Sequence, residues 1–79
     1  MFYVYAIQSQ KDERIYVGLT SNLKKRFNEH NQGKTRSTKY YIPWKIIYFE
    51  VCKTRVEARA KEKYWKGGSG KERLKKMAL

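Results

Sequence analysis

The sequence has few of the residues on which metal clusters and covalent catalysis most often depend. It contains one cysteine (Cys52), one histidine (His30) and one aspartate (Asp12). A single cysteine excludes an internal disulfide, and one cysteine with one histidine is too few ligands for structural zinc or c-type haem. A Ser-His-Asp triad would need His30 beside Asp12, which we place in a turn far from the helix that carries His30. We therefore expect neither a zinc site nor a triad.

Long hydrophobic runs are missing as well. The longest, Phe2–Ile7 and Ile46–Phe49, fall far below the roughly 20 residues that a membrane-spanning helix needs. The charges in residues 11–14 interrupt any resemblance to a secretory signal. We therefore expect a cytoplasmic protein with no membrane segment.

Acidic residues are scarce too. Seven Asp and Glu stand against 19 Lys and Arg, for a net charge of +12 in 79 residues, a balance that predicts a polyanionic partner such as nucleic acid. With 41% hydrophobic and 15% aromatic residues, the chain can still form a core. We expect a single domain over residues 1–79, small enough that any site shares its elements with that core.

The hydrophobic pattern predicts the element order β-β-α-β-α-α. Residues 2–8 and 14–18 are rich in aromatic and β-branched residues and should form an antiparallel hairpin, and residues 44–52 should form a third strand. This is an α/β fold of the α+β type, with a small three-stranded, mostly antiparallel sheet flanked by helices. Strand periodicity places Tyr5, Tyr16 and Gly18 on one face, together with Tyr3.

Three helices are expected around the sheet. Thr20 or Ser21 should cap the first, which ends near residue 31 and carries Arg26 and His30 on its inward stripe. The motif of residues 54–57 is a capping box that opens a second helix to about residue 66. Residues 69–72 repeat the box, which predicts a short C-terminal helix over 69–79 outside a core of about 2–66.

These residues together resemble the GIY-YIG nuclease superfamily. Its two signature tripeptides correspond to Tyr3-Val4-Tyr5 and Tyr16-Val17-Gly18, followed by a helical arginine and a later helical glutamate. The resemblance covers residues 2–66 and is strongest to small stand-alone proteins related to the catalytic domain of excinuclease C. Tyr3 departs from the motif, which begins with glycine in much of the superfamily.

The resemblance implies a divalent-metal-dependent DNA endonuclease with a setting in DNA repair. One Mg²⁺ or Mn²⁺ ion would be held by Glu62, while Tyr3 and Gly18 would be structural positions of the motif. Leu19 stands where some members have a lysine near the phosphate. The implied catalytic residues are Tyr5, Tyr16, Arg26, His30 and Glu62.

The chemistry of phosphodiester hydrolysis is consistent with these residue types. An arginine offers a planar fork to phosphate oxygens, and one carboxylate suffices for Mg²⁺, which keeps several waters. A phenol is a poor base at its usual pKa of about 10, but a nearby cation lowers that pKa. We therefore expect either Tyr5 or Tyr16, beside Arg26, to take a proton from water, directly or with His30 as a relay.

Each residue also has an ordinary structural interpretation. The two tyrosines could be core aromatics, Arg26 a solvated charge paired with the backbone or with Asn22, and His30 a cap at the helix C-terminus. Glu62 could form a surface pair with Lys66, four residues later. Against this, Glu62 shares a helical face with residues that should pack inward, which favours the metal-ligand interpretation.

A basic loop follows the first helix. Its mixture of cations and tyrosines suits contacts with phosphates and stacking on bases, although a solvated loop would look the same. No recognition helix can be assigned, so binding should be directed at the backbone. The alternatives to a nuclease are a non-catalytic DNA- or RNA-binding module and a basic protein-interaction domain. The candidate nucleic-acid-binding residues are Lys34, Arg36, Lys39, Tyr40 and Tyr41.

Overall fold

The computed structural model describes residues 1–78 and has one three-stranded sheet. Its strands are β1 (Phe2–Ser9), β2 (Ile15–Thr20) and β3 (Trp44–Cys52). Both β2 and β3 pair antiparallel with β1, which therefore lies at the centre. The predicted fold class is confirmed.

Three helices flank the sheet, in the predicted order. They are α1 (Leu23–Asn31), α2 (Arg55–Lys66) and α3 (Gly68–Met77), with a 3₁₀ turn at Lys39–Tyr41 between α1 and β3. The capping box of α2 forms as predicted, because the Thr54 side chain accepts a hydrogen bond from the backbone N–H of Glu57. Among residues 1–78, no helix has the length and apolar character needed to cross a bilayer.

The predicted cap of α1 is wrong. The N-cap is Asn22, whose side chain accepts from the backbone N–H of Lys25. Thr20 is unavailable because it is the last residue of β2, paired with Tyr3. Its hydroxyl instead bonds to the backbone of Asn22, so the strand extends two residues beyond its predicted end and moves the start of the helix.

The predicted start of α3 at Ser69 is also wrong. The helix begins one residue earlier with Gly67 as its N-cap, and no side chain caps it. Gly70 lies against α2 so closely that a Cβ there would sit 2.6 Å from the Cα of Trp65. Glycine thus lets α3 fold back directly onto α2. Residue 79, the predicted end of this helix, lies outside the described residues.

The two faces of the sheet bury different kinds of side chain. One face packs against α2 and α3, and we call it the α2–α3 face; the opposite one packs against α1, and we call it the α1 face. Alternation along β1 assigns neighbouring residues to opposite faces. The buried cluster of the α2–α3 face is Val4, Ala6, Val17, Cys52, Ala58, Trp65 and Leu74. That of the α1 face is Tyr5, Ile7 and Trp44, with Tyr16, Leu23, Phe27, Tyr41 and Ile42 packed against it.

Candidate active site

Tyr5 lies at the centre of the α1 face, next to Gly18. The two residues are paired across β1 and β2, and Tyr16 pairs with Ile7 two positions further on. A Cβ at position 18 would lie only 2.5 Å from the Tyr5 hydroxyl oxygen. Gly18 is therefore needed for space: the Tyr5 hydroxyl occupies the volume that a side chain would fill.

A chain of hydrogen bonds runs from Tyr5 into the interior. The Tyr5 hydroxyl is 2.8 Å from His30 Nε2, and His30 Nδ1 is 2.8 Å from Thr38 Oγ1. Thr38 donates in turn to the carbonyl of Thr35 at 3.4 Å. Because the Thr38 proton is used there, its oxygen accepts from Nδ1–H, which leaves Nε2 to accept from Tyr5. The tautomer assigned in this way makes Tyr5 a donor.

His30 is held in its neutral form. It is fully buried, and burial lowers its pKa to about 4, with the positive charge of Arg26 acting in the same direction. A charged histidine that caps the helix through the macrodipole is therefore not what the structure contains. His30 is a buried hydrogen-bonding residue that orients Tyr5.

The acidity of Tyr5 departs from expectation. Burial, followed by the neighbouring Tyr16, raises the pKa of Tyr5 to about 12, although Arg26 beside it acts in the opposite direction. The prediction that the pKa of Tyr5 lies below its usual value is therefore wrong, because loss of hydration outweighs the lowering that Arg26 contributes. At neutral pH the Tyr5 hydroxyl keeps its proton.

Tyr16 occupies the more open position of the two tyrosines. It is half-buried, whereas only 1% of Tyr5 is exposed. Its ring centroid lies 5.1 Å from that of His30, edge to face, and 6.5 Å from that of Tyr5. Of the two tyrosines, Tyr16 is the one that solvent reaches more readily.

Arg26 brings a positive charge to this group from α1. Its Nη1 lies 3.2 Å from Glu29 Oε1. Burial works against its charge, but Glu29 and the two tyrosines Tyr5 and Tyr16 outweigh it and raise the pKa of Arg26. Its ion-pair partner is thus Glu29, not the Asn22 of the structural alternative, and a hydrogen bond with Tyr5 also raises its pKa.

Glu62 reaches the site from α2. It is 8% exposed and lies on the inward stripe of the helix with Ala58 and Trp65, as predicted. Its negative charge contributes to the raised pKa of Tyr5, so the carboxylate acts on the tyrosine through space. The carboxylate oxygens lie 3.1 Å from Arg59 Nη1 and 3.2 Å from Lys66 Nζ.

The donor set around Glu62 fits a lightly coordinated divalent ion. Residues 1–78 contain no cluster of three or more His, Cys, Asp or Glu side chains, so Glu62 would be the one carboxylate ligand. Mg²⁺ accepts such a site because it retains water and binds phosphate oxygens. The side chains of Arg59 and Lys66 are 62% and 54% exposed, so they can turn away to leave room.

Other predicted residues lie apart from this group. Tyr3 packs against Phe49 with a centroid separation of 6.4 Å. Tyr41 is half-buried, and the guanidinium carbon of Arg14 lies 3.5 Å from its ring centroid, so its role here is packing. The other predicted nucleic-acid-binding residues are exposed; they are Lys34, Arg36, Lys39 and Tyr40.

The residues that hold His30 in place could not be identified from the sequence. Thr38 is fully buried beneath His30, and its carbonyl accepts a hydrogen bond from Trp44 Nε1 at 3.0 Å. Asn31 bonds to both backbone groups of Trp44. The only signal was a threonine within a basic loop, and no periodicity relates it to His30. These contacts fix the loop, and with it the imidazole.

Comparisons with a family model and with known proteins agree on the family that this chain resembles. Residues 1–76 match the family model described as the GIY-YIG catalytic domain. A UPF0213 protein of Clostridium perfringens is 42% identical over 67 residues, which are 84% of this chain and 71% of the relative. A UPF0213 protein of Streptococcus pyogenes serotype M5 is 35% identical over 77 residues, or 96% and 80% of the two chains. No solved structure matches the chain significantly.

Proposed function

Because the chain belongs to the GIY-YIG family, which implies nuclease-type activity, we propose that it binds DNA and hydrolyses its phosphodiester bonds. The observation that carries the proposal is the convergence of separate elements on one buried hydroxyl. Arg26 from α1, Tyr16 from β2 and Glu62 from α2 all act on the pKa of Tyr5. Hydrophobic cores rarely collect an arginine, a carboxylate and two phenols, whereas phosphoryl chemistry needs such a set.

In this proposal Tyr16 and Arg26 contact the substrate. The half-buried Tyr16 orients the attacking water through its phenol oxygen, and its phenolate form accepts the proton of that water. The Arg26 guanidinium binds phosphate oxygens and neutralises the charge that develops on them. Both side chains lie beside Tyr5, so a phosphate bound by Arg26 would lie close to Tyr16.

Tyr5 and His30 are positioning residues in the same proposal. A hydroxyl with a pKa of about 12 and an imidazole with a pKa of about 4 neither lose nor gain a proton readily at neutral pH. The relay through His30 is therefore no longer part of the mechanism. Their hydrogen bond keeps the Tyr5 ring fixed over Gly18, and the ring gives Arg26 and Tyr16 a rigid surface.

The proposed cofactor is one Mg²⁺ or Mn²⁺ ion at Glu62. Nucleases of this family are generally metal-dependent, and a bound ion would neutralise phosphate charge. The net charge of +12 supports a polyanionic substrate. DNA as that substrate and a role in DNA repair rest on the resemblance to excinuclease C, and a cytoplasmic location stays a prediction from the sequence.

One observation favours a second candidate, a nucleic-acid-binding module without turnover. Both oxygens of Glu62 already have cationic partners, Arg59 and Lys66, and such a satisfied carboxylate needs no metal. A binding module would keep the positive surface and the fold. The two candidates differ in whether a divalent metal supports cleavage.

The deciding experiment is a cleavage assay with Mg²⁺ or Mn²⁺ on linear, nicked and branched DNA. Glu62→Gln should abolish cutting and leave DNA affinity equal or slightly higher, because one negative charge is removed. The matched control is Glu72→Gln on α3, whose exposed side chain pairs with Lys75 at 3.6 Å, and it should cut normally. Undiminished cutting by Glu62→Gln would contradict the assignment, and DNA binding without any wild-type cutting would support the second candidate.

A further inference from the structure

The ion pairs of Glu62 are unequal in their exposure to solvent. The side chain of Glu62 is 10% exposed, whereas those of Arg59 and Lys66 are 62% and 54% exposed. The cations stand three residues before and four residues after Glu62 on α2. They therefore cover a buried carboxylate from the solvent side, and they can leave by a change of rotamer while the carboxylate cannot.

This arrangement opposes metal binding in the free protein. A divalent cation that approaches Glu62 meets two positive charges within about 3 Å of the carboxylate oxygens, and each repels it. If both cations turn away, the carboxylate is left buried and uncompensated, which is costly. Arg59 and Lys66 thus compete with a metal ion for Glu62, and an anion that takes over these two cations favours metal binding.

The cations around Glu62 are suited to attract the phosphates of a nucleic acid. Two further cations on α3, Lys71 and Lys75, lie near Lys66, and Lys71 Nζ donates to the Ile15 carbonyl at 2.7 Å. Burial lowers the pKa of Lys71, and the charges of Lys66 and Lys75 lower it further, so these cations are close enough to repel one another. A phosphate backbone would relieve that repulsion.

We propose that Arg59 and Lys66 are phosphate-binding residues that pair with Glu62 in the free protein and exchange it for nucleic-acid phosphates in the complex. This rests on the proposed function, since it takes nucleic acid as the ligand and Glu62 as the metal ligand. Glu62 is then more available to a divalent ion when the nucleic acid is bound than in the free protein. Metal and nucleic acid then strengthen each other's binding by the same factor, as linkage requires.

The coupling is measured as the affinity for Mn²⁺, by electron paramagnetic resonance of the free ion. The wild-type protein is titrated alone and with a phosphorothioate DNA duplex that resists hydrolysis, after subtraction of Mn²⁺ bound by the duplex. Glu62→Gln identifies the part of the signal that is due to Glu62. We expect the duplex to tighten Mn²⁺ binding at Glu62 at least about fivefold. An unchanged affinity overturns the proposal.

A pair of double variants tests the two cations without nucleic acid. Arg59→Gln with Lys66→Gln should bind Mn²⁺ at least about fivefold more tightly than the wild type, and the duplex should add little. The control removes the same charge through Lys53→Gln and Lys63→Gln, exposed residues that form no ion pair within residues 1–78. Equal effects of the two double variants would assign the result to net charge and overturn the proposal.

The failure of this inference can be told from failure of the proposed function. Far-ultraviolet circular dichroism first shows that each variant is folded. If the duplex does not bind to the wild type at all, the proposed function fails. If the duplex binds and is cut in its phosphodiester form, but Mn²⁺ affinity is the same with and without it, only the exchange of Glu62 for phosphate is wrong.

Discussion

The two faces of the sheet differ in what their burial achieves. The α2–α3 face buries aliphatic side chains such as Val4, Val17 and Leu74, which need only complementary shape. The α1 face buries Tyr5 together with His30, whose polar atoms all have hydrogen-bond partners. Adjacent residues of β1 contribute to the two faces, because neighbouring side chains of a strand alternate between its faces.

The difference shows how so small a chain accommodates both a core and a site. Apolar burial stabilises a fold with little demand on orientation, so the α2–α3 face can supply most of the stability. A buried hydrogen-bonded network contributes less net free energy but fixes its members in one arrangement. The α1 face therefore holds the two tyrosines and His30 for chemistry, while α2 supplies Glu62 to the same site, and changes at the site and in the apolar cluster should have separable effects.

Tyr16→Phe should show the largest difference between its effect on cleavage and its effect on stability. The Tyr16 hydroxyl has no hydrogen bond to any of residues 1–78, so its loss should leave stability nearly unchanged. If the hydroxyl orients water and accepts its proton, the cleavage rate should fall about 10²- to 10⁴-fold. Single-turnover cleavage and DNA binding measured on the same sample would show this, and a variant that cuts at the wild-type rate would remove Tyr16 from the mechanism.

Leu74→Ala should have the complementary effect. Leu74 is fully buried on the α2–α3 face, and truncation should cost about 2 to 5 kcal/mol of unfolding free energy through lost burial and a cavity. Urea titration measures that loss, with Met77→Ala as a control because Met77 is 43% exposed on the same helix. Equal effects of the two substitutions would show that the face is not packed as described.

The pH dependence of stability sharpens the comparison on the α1 face. The pKa of His30 is about 4 in the folded protein and about 6.5 when it is exposed. The unfolded chain therefore takes up the proton first as the pH falls, so His30 contributes its full stability above about pH 6.5 and loses it between pH 6.5 and 4. At about 1.4 kcal/mol per pH unit the loss is about 3 kcal/mol.

Unfolding by urea across this pH range would measure the effect. His30 is the only histidine, so few other groups titrate between pH 5 and 6.5. His30→Gln, which keeps a donor and an acceptor, should make the unfolding free energy less dependent on pH in that interval. The same dependence in both proteins would mean that His30 is not held neutral by burial.

Tyr5→Phe should have the smallest effect. It leaves His30 Nε2 without its partner and should cost about 1 to 2 kcal/mol of stability. Since we assign Tyr5 a positioning role, cleavage should slow less than in Tyr16→Phe, and the pH dependence of the rate should keep its shape. A larger rate loss than in Tyr16→Phe, together with an altered pH profile, would identify Tyr5 as the base.

Much of the fold follows from local sequence signals. Strand β3 and helix α2 have the predicted bounds, because β-branched residues, a capping box and a Gly pair mark them locally. The starts of α1 and α3 were not predictable from local signals. Thr20 cannot cap α1 because it belongs to β2 and pairs with Tyr3. Gly70 likewise fits α3 against α2. These are tertiary demands that no local pattern records.

The sequence predicted which residues form the candidate site better than it predicted their pKa values and contacts. The tripeptides and spacing indicated Tyr5, Arg26 and Glu62, and the structure brings them within electrostatic reach of one another. Thr38 was missed because its contact with His30 joins a helix to an irregular loop. The direction of the Tyr5 pKa was missed because it depends on burial that sequence does not show.

The most direct test of this division between the faces is the single-turnover cleavage rate of Tyr16→Phe and Leu74→Ala, measured side by side. The temperature is chosen so that circular dichroism shows both variants folded. We predict that Leu74→Ala cuts DNA close to the wild-type rate, while Tyr16→Phe cuts at least about 100-fold more slowly. Equal rates for the two variants would contradict the assignment of chemistry to the α1 face.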